Sequence, residues 1–182
     1  IEFFRSVPAY WSKDDHDFRY NESDNSTDHL PLPKTGIDMF REQLPMLAAD
    51  SEKPTYRTHR VSKDLQIWLT EGRDYRSPNE MADGPGKSLW GAEQREWLKA
   101  TLKASDAKWK ILISPTPMIG PDDRKKIDNH ADISGFRHEA DAFWLSNTSW
   151  QTWRYLRSSG LSEAESGSSK LKPQIGRASC RE

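Results

Sequence analysis

The run WKILIS, residues 109–114, limits the fold more than any other stretch of this 182-residue chain. A short apolar run closed off by Lys108 and Pro115 reads as a buried strand. Shortly before it, over residues 92–102, lies the clearest helix. Trp97, Leu98 and Leu102 give it an apolar face. Glu93 and Glu96 sit in its early turns and Lys99 and Lys103 in its late ones, the order that the helix dipole favours. Further upstream, residues 56–61 alternate weakly and residues 65–69 alternate better. They predict a hairpin turning at Ser62-Lys63-Asp64. Residues 35–48 carry Ile37, Met39, Phe40, Leu44 and Leu47 near helical spacing, with Thr35 or Asp38 as cap and Pro45 bending or ending the helix. Residues 1–12 predict a short strand broken by Pro8, and residues 13–30, acidic and Asn-rich, predict a loop. Residues 76–87, with two Pro and two Gly, predict a surface loop. Strands interleaved with helices make this an α/β chain. Beyond Phe143 the pattern fades, and residues 158–169 read as linker.

The length suits one domain. Only 34% of residues are apolar and 30% are charged, and the mean hydropathy is −0.92, so the expected core is thin for the length. Either a long solvated insertion is present or core strands are missing. Eight Trp, six Phe and five Tyr oppose a disordered reading. The formal net charge of −1, with both signs mixed along the chain, leaves no nucleic-acid-binding footprint. No apolar run reaches the length of a membrane span. The start, Ile1-Glu2-Phe3-Phe4-Arg5, is neither an initiator Met nor a signal peptide, and the natural N-terminus is expected upstream. Residues 175–182 read IGRASCRE, the translation of a common sequencing adapter, and are expected to be non-coding. The lone cysteine, Cys180, falls inside that string, so cysteine usage predicts no disulfide, thiolate metal site or redox role.

Three places carry a predicted strand end into a polar loop: Tyr10 into Asp14, Leu69 into Arg73, and Ser114 into Asp122. In α/β folds such ends commonly hold chemistry. Asp14-Asp15-His16-Asp17 is the sharpest feature. Carboxylate oxygens suit hard cations, and imidazole nitrogen suits borderline ones. On spacing alone, a solvated acidic loop with an incidental His is the favoured reading. Arg73 could bind phosphate oxygens as a fork, or pair with Glu71 or Asp74 to fix its loop. Asp128-Asn129-His130 and Arg137-His138-Glu139 add polar side chains that suit either a site or a structural role. His29 and His59 have no partner pattern and read as surface or strand residues.

Four segments, in order, resemble the alkaline phosphatase D (PhoD-like) family: VPAYWSKDDHDF (7–18), IWLTEGRDYRSPN (67–79), LWGAEQREWL (89–98) and SPTPMIGPDDRKKIDNHADISGFRHEADAF (114–143). The resemblance implies part of a metallo-dependent phosphatase αββα sandwich, mixed sheets flanked by helices, that hydrolyses phosphate monoesters or diesters. It implies Asp15 as a metal ligand and Asp14 as a metal carboxylate or a group beside the ligands. His16 would face the phosphate, and Asn21, Asn129 and His130 would border the substrate; Arg73, read from its strand-end position as a phosphate fork, stands beside His16 as a candidate catalytic residue. The metal would be a divalent or trivalent ion: calcium, iron, manganese or magnesium. The substrate would be a phosphate ester, and the setting bacterial, periplasmic or extracellular.

The family's later Gly-Asp-Arg-His-Trp-Gln-Tyr-His segment has no match; its nearest counterpart, Thr152-Trp153-Arg154-Tyr155-Leu156, lacks the His residues. The chain is therefore expected to divide into a partial metallophosphatase domain at 1–143, an unmatched, frame-shifted or linker stretch at 144–174, and the adapter string at 175–182. Made alone, it is expected to be unstable, aggregation-prone and inactive, with catalysis belonging to the full-length parent. Two other readings stand beside this one. One is a catalytically inactive relative that binds. The other is an aromatic-rich carbohydrate- or surface-binding module, which the placing of Trp68, Trp97 and Trp109 on predicted core faces opposes. The sequence does not set the oligomeric state.

Overall fold

A computed structural model of the chain describes residues 3, 6–43, 53–119 and 126–145. The expectations for Leu44, Pro45, Leu47, Asp122 and residues 152–182, Cys180 among them, lie outside those residues. In order, the elements are α1 (Asp15–Phe18), α2 (Pro33–Gln43), β1 (Arg57–Arg60), β2 (Leu65–Leu69), α3 (Gly91–Ala104), β3 (Trp109–Ile113) and α4 (Arg137–Leu145).

The predicted hairpin forms. β1 and β2 pair antiparallel with Arg57 opposite Leu69 and Arg60 opposite Gln66. The Ser62 hydroxyl oxygen accepts the N–H groups of Asp64 and Leu65 across the turn. β2 and β3 then pair parallel, Leu65 with Trp109 through Leu69 with Ile113. A parallel partner requires a crossover, and α3 supplies it. The result is one three-stranded mixed sheet in the order β1-β2-β3, an α/β fold.

Residues paired across a sheet share a face. Trp68 and Leu112 therefore look toward the side on which α3 lies. There Trp68, Leu89, Trp90, Leu98, Leu102, Phe136 and Phe143 form the core. The Trp68 indole N–H donates to the Thr101 hydroxyl of α3 at 3.0 Å, so the buried ring leaves no polar atom unpaired. The opposite face is covered unevenly. Ile67 and Leu69 are buried, and near them the Tyr10 ring packs on His59, 4.7 Å between centroids. On the same face Trp109, Ile111 and Ile113 stand exposed, Trp109 at 71%.

Five expectations are corrected by the structure. β3 is not buried on both faces: Lys110 and Leu112 are partly covered while the other face is open. Trp109 is therefore not a core residue, although Trp68 is and Trp97 packs against the core. Residues 6–14 form no strand. The Val7 N–H donates to the Phe3 carbonyl at 3.1 Å, as in a helical turn, and Pro8 has no N–H to give to a ladder. The acidic stretch after it is not all loop, because α1 lies within it. α2 starts at Pro33, two residues before the expected cap at Thr35, since proline's fixed φ suits a first helical position.

Candidate functional site

At the carboxyl end of β2 the chain turns through residues 70–76, and this turn meets the segment that contains α1. Gln94 of α3 fixes the turn by two hydrogen bonds to one residue. Its Oε1 accepts the Glu71 N–H at 2.7 Å, and its Nε2 donates to the Glu71 carbonyl at 2.9 Å. Gln94 is thus buried with its amide satisfied on both ends.

Arg73 extends from this turn into a cluster of carboxylates. Its Nε and Nη2 both donate to Asp14 Oδ1, at 2.9 and 2.6 Å, and Nη1 donates to the Ser23 carbonyl at 3.2 Å. Nη2 also lies 3.6 Å from Asp128 Oδ2 and 3.9 Å from Asp15 Oδ2. The guanidinium is almost wholly buried while the Asp14 side chain is 46% exposed. A planar fork with several donors suits such a cluster better than a lysine ammonium would. Of the two readings of Arg73, geometry favours the loop-fixing one, with a partner the sequence did not indicate: Asp14 rather than Glu71 or Asp74.

Asp15 is held differently. Its Oδ1 accepts the His16 N–H and its Oδ2 the Glu22 N–H, each at 2.8 Å. Glu22 has a positive φ of 57°, unusual for a non-glycine residue, and that conformation directs its N–H at the carboxylate. Burial opposes ionisation of Asp15. The Glu22 and His16 N–H groups, with the nearby Arg73 charge, outweigh it and keep the carboxyl below its ordinary pKa. His16 lies on the outside, its side chain 73% exposed and Nδ1 3.4 Å from Asp15 Oδ1. The Asp17 carboxylate accepts the Asp14 N–H at 3.1 Å and closes the short helix on itself.

Beneath this surface lies a second, buried charge cluster. Lys13 Nζ is 2.7 Å from Glu71 Oε2 and 2.6 Å from Asp74 Oδ1, and it sits over the rings of Phe18 and Phe40 at 5.1 and 5.2 Å. The Thr55 hydroxyl stands between the same two carboxylates, 2.9 Å from Glu71 Oε2 and 2.8 Å from Asp74 Oδ2. Burial, with the adjacent Glu71 charge, raises the Asp74 pKa, and Lys13 pulls it back in part. Beside Arg73, Arg76 is buried against the Phe136 ring and donates to the Asp128 carbonyl at 2.9 Å. Burial, then repulsion from Arg73, brings its pKa down to about 10.

The sequence-predicted residues therefore divide. Asp14, Asp15, His16 and Arg73 come together, with Asp128 as a further member. Asn21 is exposed one residue before Glu22. Asn129 and His130 are buried in structural contacts. The Asn129 Oδ1 accepts the N–H groups of Ala131 and Asp132 at 2.9 and 3.0 Å and shapes the turn. His130 Nε2 is 3.0 Å from Glu139 Oε1, and its ring meets Trp90 edge-on at 4.4 Å. Glu139 also accepts the Leu89 and Trp90 N–H groups, each at 3.1 Å, and the Ser88 hydroxyl. Burial alone would raise its pKa, but the bonds from His130, Ser88 and Trp90 hold it below the usual range.

Sequence reading missed Lys13. A lysine ahead of an acidic run resembles any solvated lysine, and the acids that bury it lie 58 and 61 positions away. Among the described residues, no group of three or more His, Cys, Asp or Glu side chains is arranged to hold a metal ion. Asp14 and Asp15 could be only part of a ligand set, since the Arg73 guanidinium occupies the middle of the carboxylates. No helix among the described residues is long and apolar enough to cross a membrane.

The profile of one protein family, described as PhoD-like phosphatase, matches residues 2–165. A solved structure of PhoD is similar, with a TM-score of 0.56 and 19% identity over 73% of this chain and 31% of that one. That likeness concerns the fold. The chain spans about a third of the length of that relative. No curated protein matches.

Proposed function

The chain belongs to the PhoD-like phosphatase family, and from that premise we propose that the full-length protein hydrolyses phosphate monoesters or diesters with the help of metal ions. The surface of Asp14, Asp15 and His16 would form one wall of its active site. The observation that carries this reading is the treatment of Asp15. Two backbone N–H groups, one from a residue at positive φ, and a buried guanidinium keep its carboxylate charged at a solvent-facing edge, next to an exposed imidazole. A loop that served only solvation would gain nothing from a strained backbone directed at a carboxylate.

Asp15, and Asp14 through its second oxygen, would contribute carboxylate oxygens to the metal centre. The ions would lower the pKa of water and offset charge on the phosphoryl oxygens. The residues themselves do the following. Arg73 holds Asp14 in place, with Nε and Nη2 both donating to its Oδ1. His16, exposed beside Asp15, would face the substrate and protonate the leaving oxygen. A periplasmic or extracellular setting follows from the same premise, and fractionating cells that express the full-length protein checks it.

The test is turnover of p-nitrophenyl phosphate and bis-p-nitrophenyl phosphate by the full-length protein, with calcium, iron, manganese or magnesium added back after chelation. Turnover that depends on metal and falls about 100-fold or more in Asp15→Asn supports the reading. Activity that survives chelator, or is untouched by the substitution, overturns it. The better of the two substrates decides between monoester and diester.

A further inference from the structure

We infer that Lys13 and Arg73 act as a reciprocal pair of charge clasps that sets the position of Asp15 and His16, which makes Lys13 a positioning residue for the phosphoester chemistry. The inference rests on the function proposed above, and it is read out separately from it.

Two segments face each other, residues 13–18 and residues 70–76. Adjacent residues of the first, Lys13 and Asp14, carry opposite charges, and each finds its counter-charge on the second. Lys13 reaches Glu71 and Asp74 at 2.7 and 2.6 Å. Arg73, which lies between those acids in the sequence, reaches back to Asp14 at 2.6 Å. The charges interleave, so sliding one segment past the other breaks both clasps and sets like charges side by side. The second segment is itself tied to α3 through Gln94, and within it the Arg73 N–H donates to Glu71 Oε1 at 2.8 Å. Support thus runs from the helix to the 70–76 turn and from there to the carboxylate-bearing segment.

Lys13 is the stricter half of the device. Its ammonium is buried between two carboxylates and two aromatic rings, where no water can replace a lost partner. The backbone next to it leads through Asp14 into Asp15, whose oxygens depend on N–H groups of His16 and Glu22. Release of Lys13 frees that backbone on the side away from Arg73.

The experiment compares Lys13→Met and Lys13→Arg with the unaltered full-length protein. Hydrogen exchange of individual amides is followed by NMR, and kcat and KM are measured with metal-loaded protein on p-nitrophenyl phosphate. The expected result for Lys13→Met is faster exchange at His16 and Glu22, with the Gly91–Ala104 helix unchanged. The kcat is expected to fall about 100-fold with KM nearly constant, because a displacement of about 1 Å has that effect. Lys13→Arg, which keeps the charge, recovers part of both. Unchanged exchange at His16 and Glu22 overturns the inference, and so does an equal rise throughout α3. If Lys13→Met does not fold, the charge-balanced Lys13→Met/Asp74→Asn protein takes the same measurements. Absence of turnover in the unaltered protein overturns the function reading alone, and the exchange comparison then decides the clasp by itself.

Discussion

Thr55 has one hydroxyl hydrogen and two carboxylate neighbours, Glu71 at 2.9 Å and Asp74 at 2.8 Å. Its hydrogen serves only one of them, so the other contact needs a proton from the carboxyl side. Asp74 is the group whose pKa folding raises, with Glu71, Lys13 and Thr55 as its neighbours. Between the ordinary carboxylate pKa and that raised value, the folded protein keeps a proton that the unfolded chain has released. Stability therefore falls as pH rises through the window. Asp74→Asn offers Thr55 an amide donor and Lys13 an acceptor. Its melting temperature is expected to match the parent's below the window and to exceed it above. Melting both proteins across a pH series checks this. Arg73→Met should cost roughly 2 kcal/mol in a denaturant titration. That is less than a fully buried broken pair, because Asp14 is about half exposed and water screens its charge.

Among the elements, helix contacts depend on single residues. Gly36 of α2 lies so close to the Phe18 carbonyl that a Cβ there would overlap it. Gly36→Ala must push α1 away, at a cost of about 1–3 kcal/mol. Because α1 carries Asp15 and His16, exchange at their amides should rise with the loss of stability. Glu139 ties α4 to the turn before α3. Glu139→Leu leaves buried N–H groups and the His130 ring unpaired, an expected loss of about 3 kcal/mol by denaturant titration. The β1–β2 hairpin and α3 were legible in the sequence because their signals are local: alternation, a Ser-Lys-Asp turn, and a helix face with its charges in dipole order. The open face of β3 was not legible. Periodicity tells which side chains a strand would bury, but not whether another element arrives to cover them. The N-terminal strand failed for a similar reason, since Phe, Val, Tyr and Trp favour a strand only where a ladder partner exists.

In the whole molecule, charge couples positions far apart in the sequence. Asp14 and Arg73, 59 positions apart, were each singled out from the sequence, but their direct bond was not. Asp128 joins them from a third segment. Lys13 could not have been separated from ordinary surface lysines without the fold. Chelation is expected to abolish turnover in the full-length protein while leaving the Lys13 and Arg73 clasps intact, because Lys13 holds no proposed metal ligand and Arg73 holds Asp14 by Oδ1, the oxygen not assigned to the metal. Near-unchanged exchange at Asp14 and Arg73 after chelation is the check. The open β3 face gives another expectation: Ile111→Thr should raise the solubility of the 182-residue chain without lowering its melting temperature, as concentration series of light scattering will show. The same face has an optical consequence. The indoles of Trp68 and Trp90 are sealed from water, whereas that of Trp109 is bathed in it. Their emission should separate into a blue component and a red one, and iodide should quench the red one first. Anything that settles on β3 should shift Trp109's share of that red light toward the blue, a share that Trp109→Phe removes, which makes this indole a native beacon for the occupancy of the sheet's bare side.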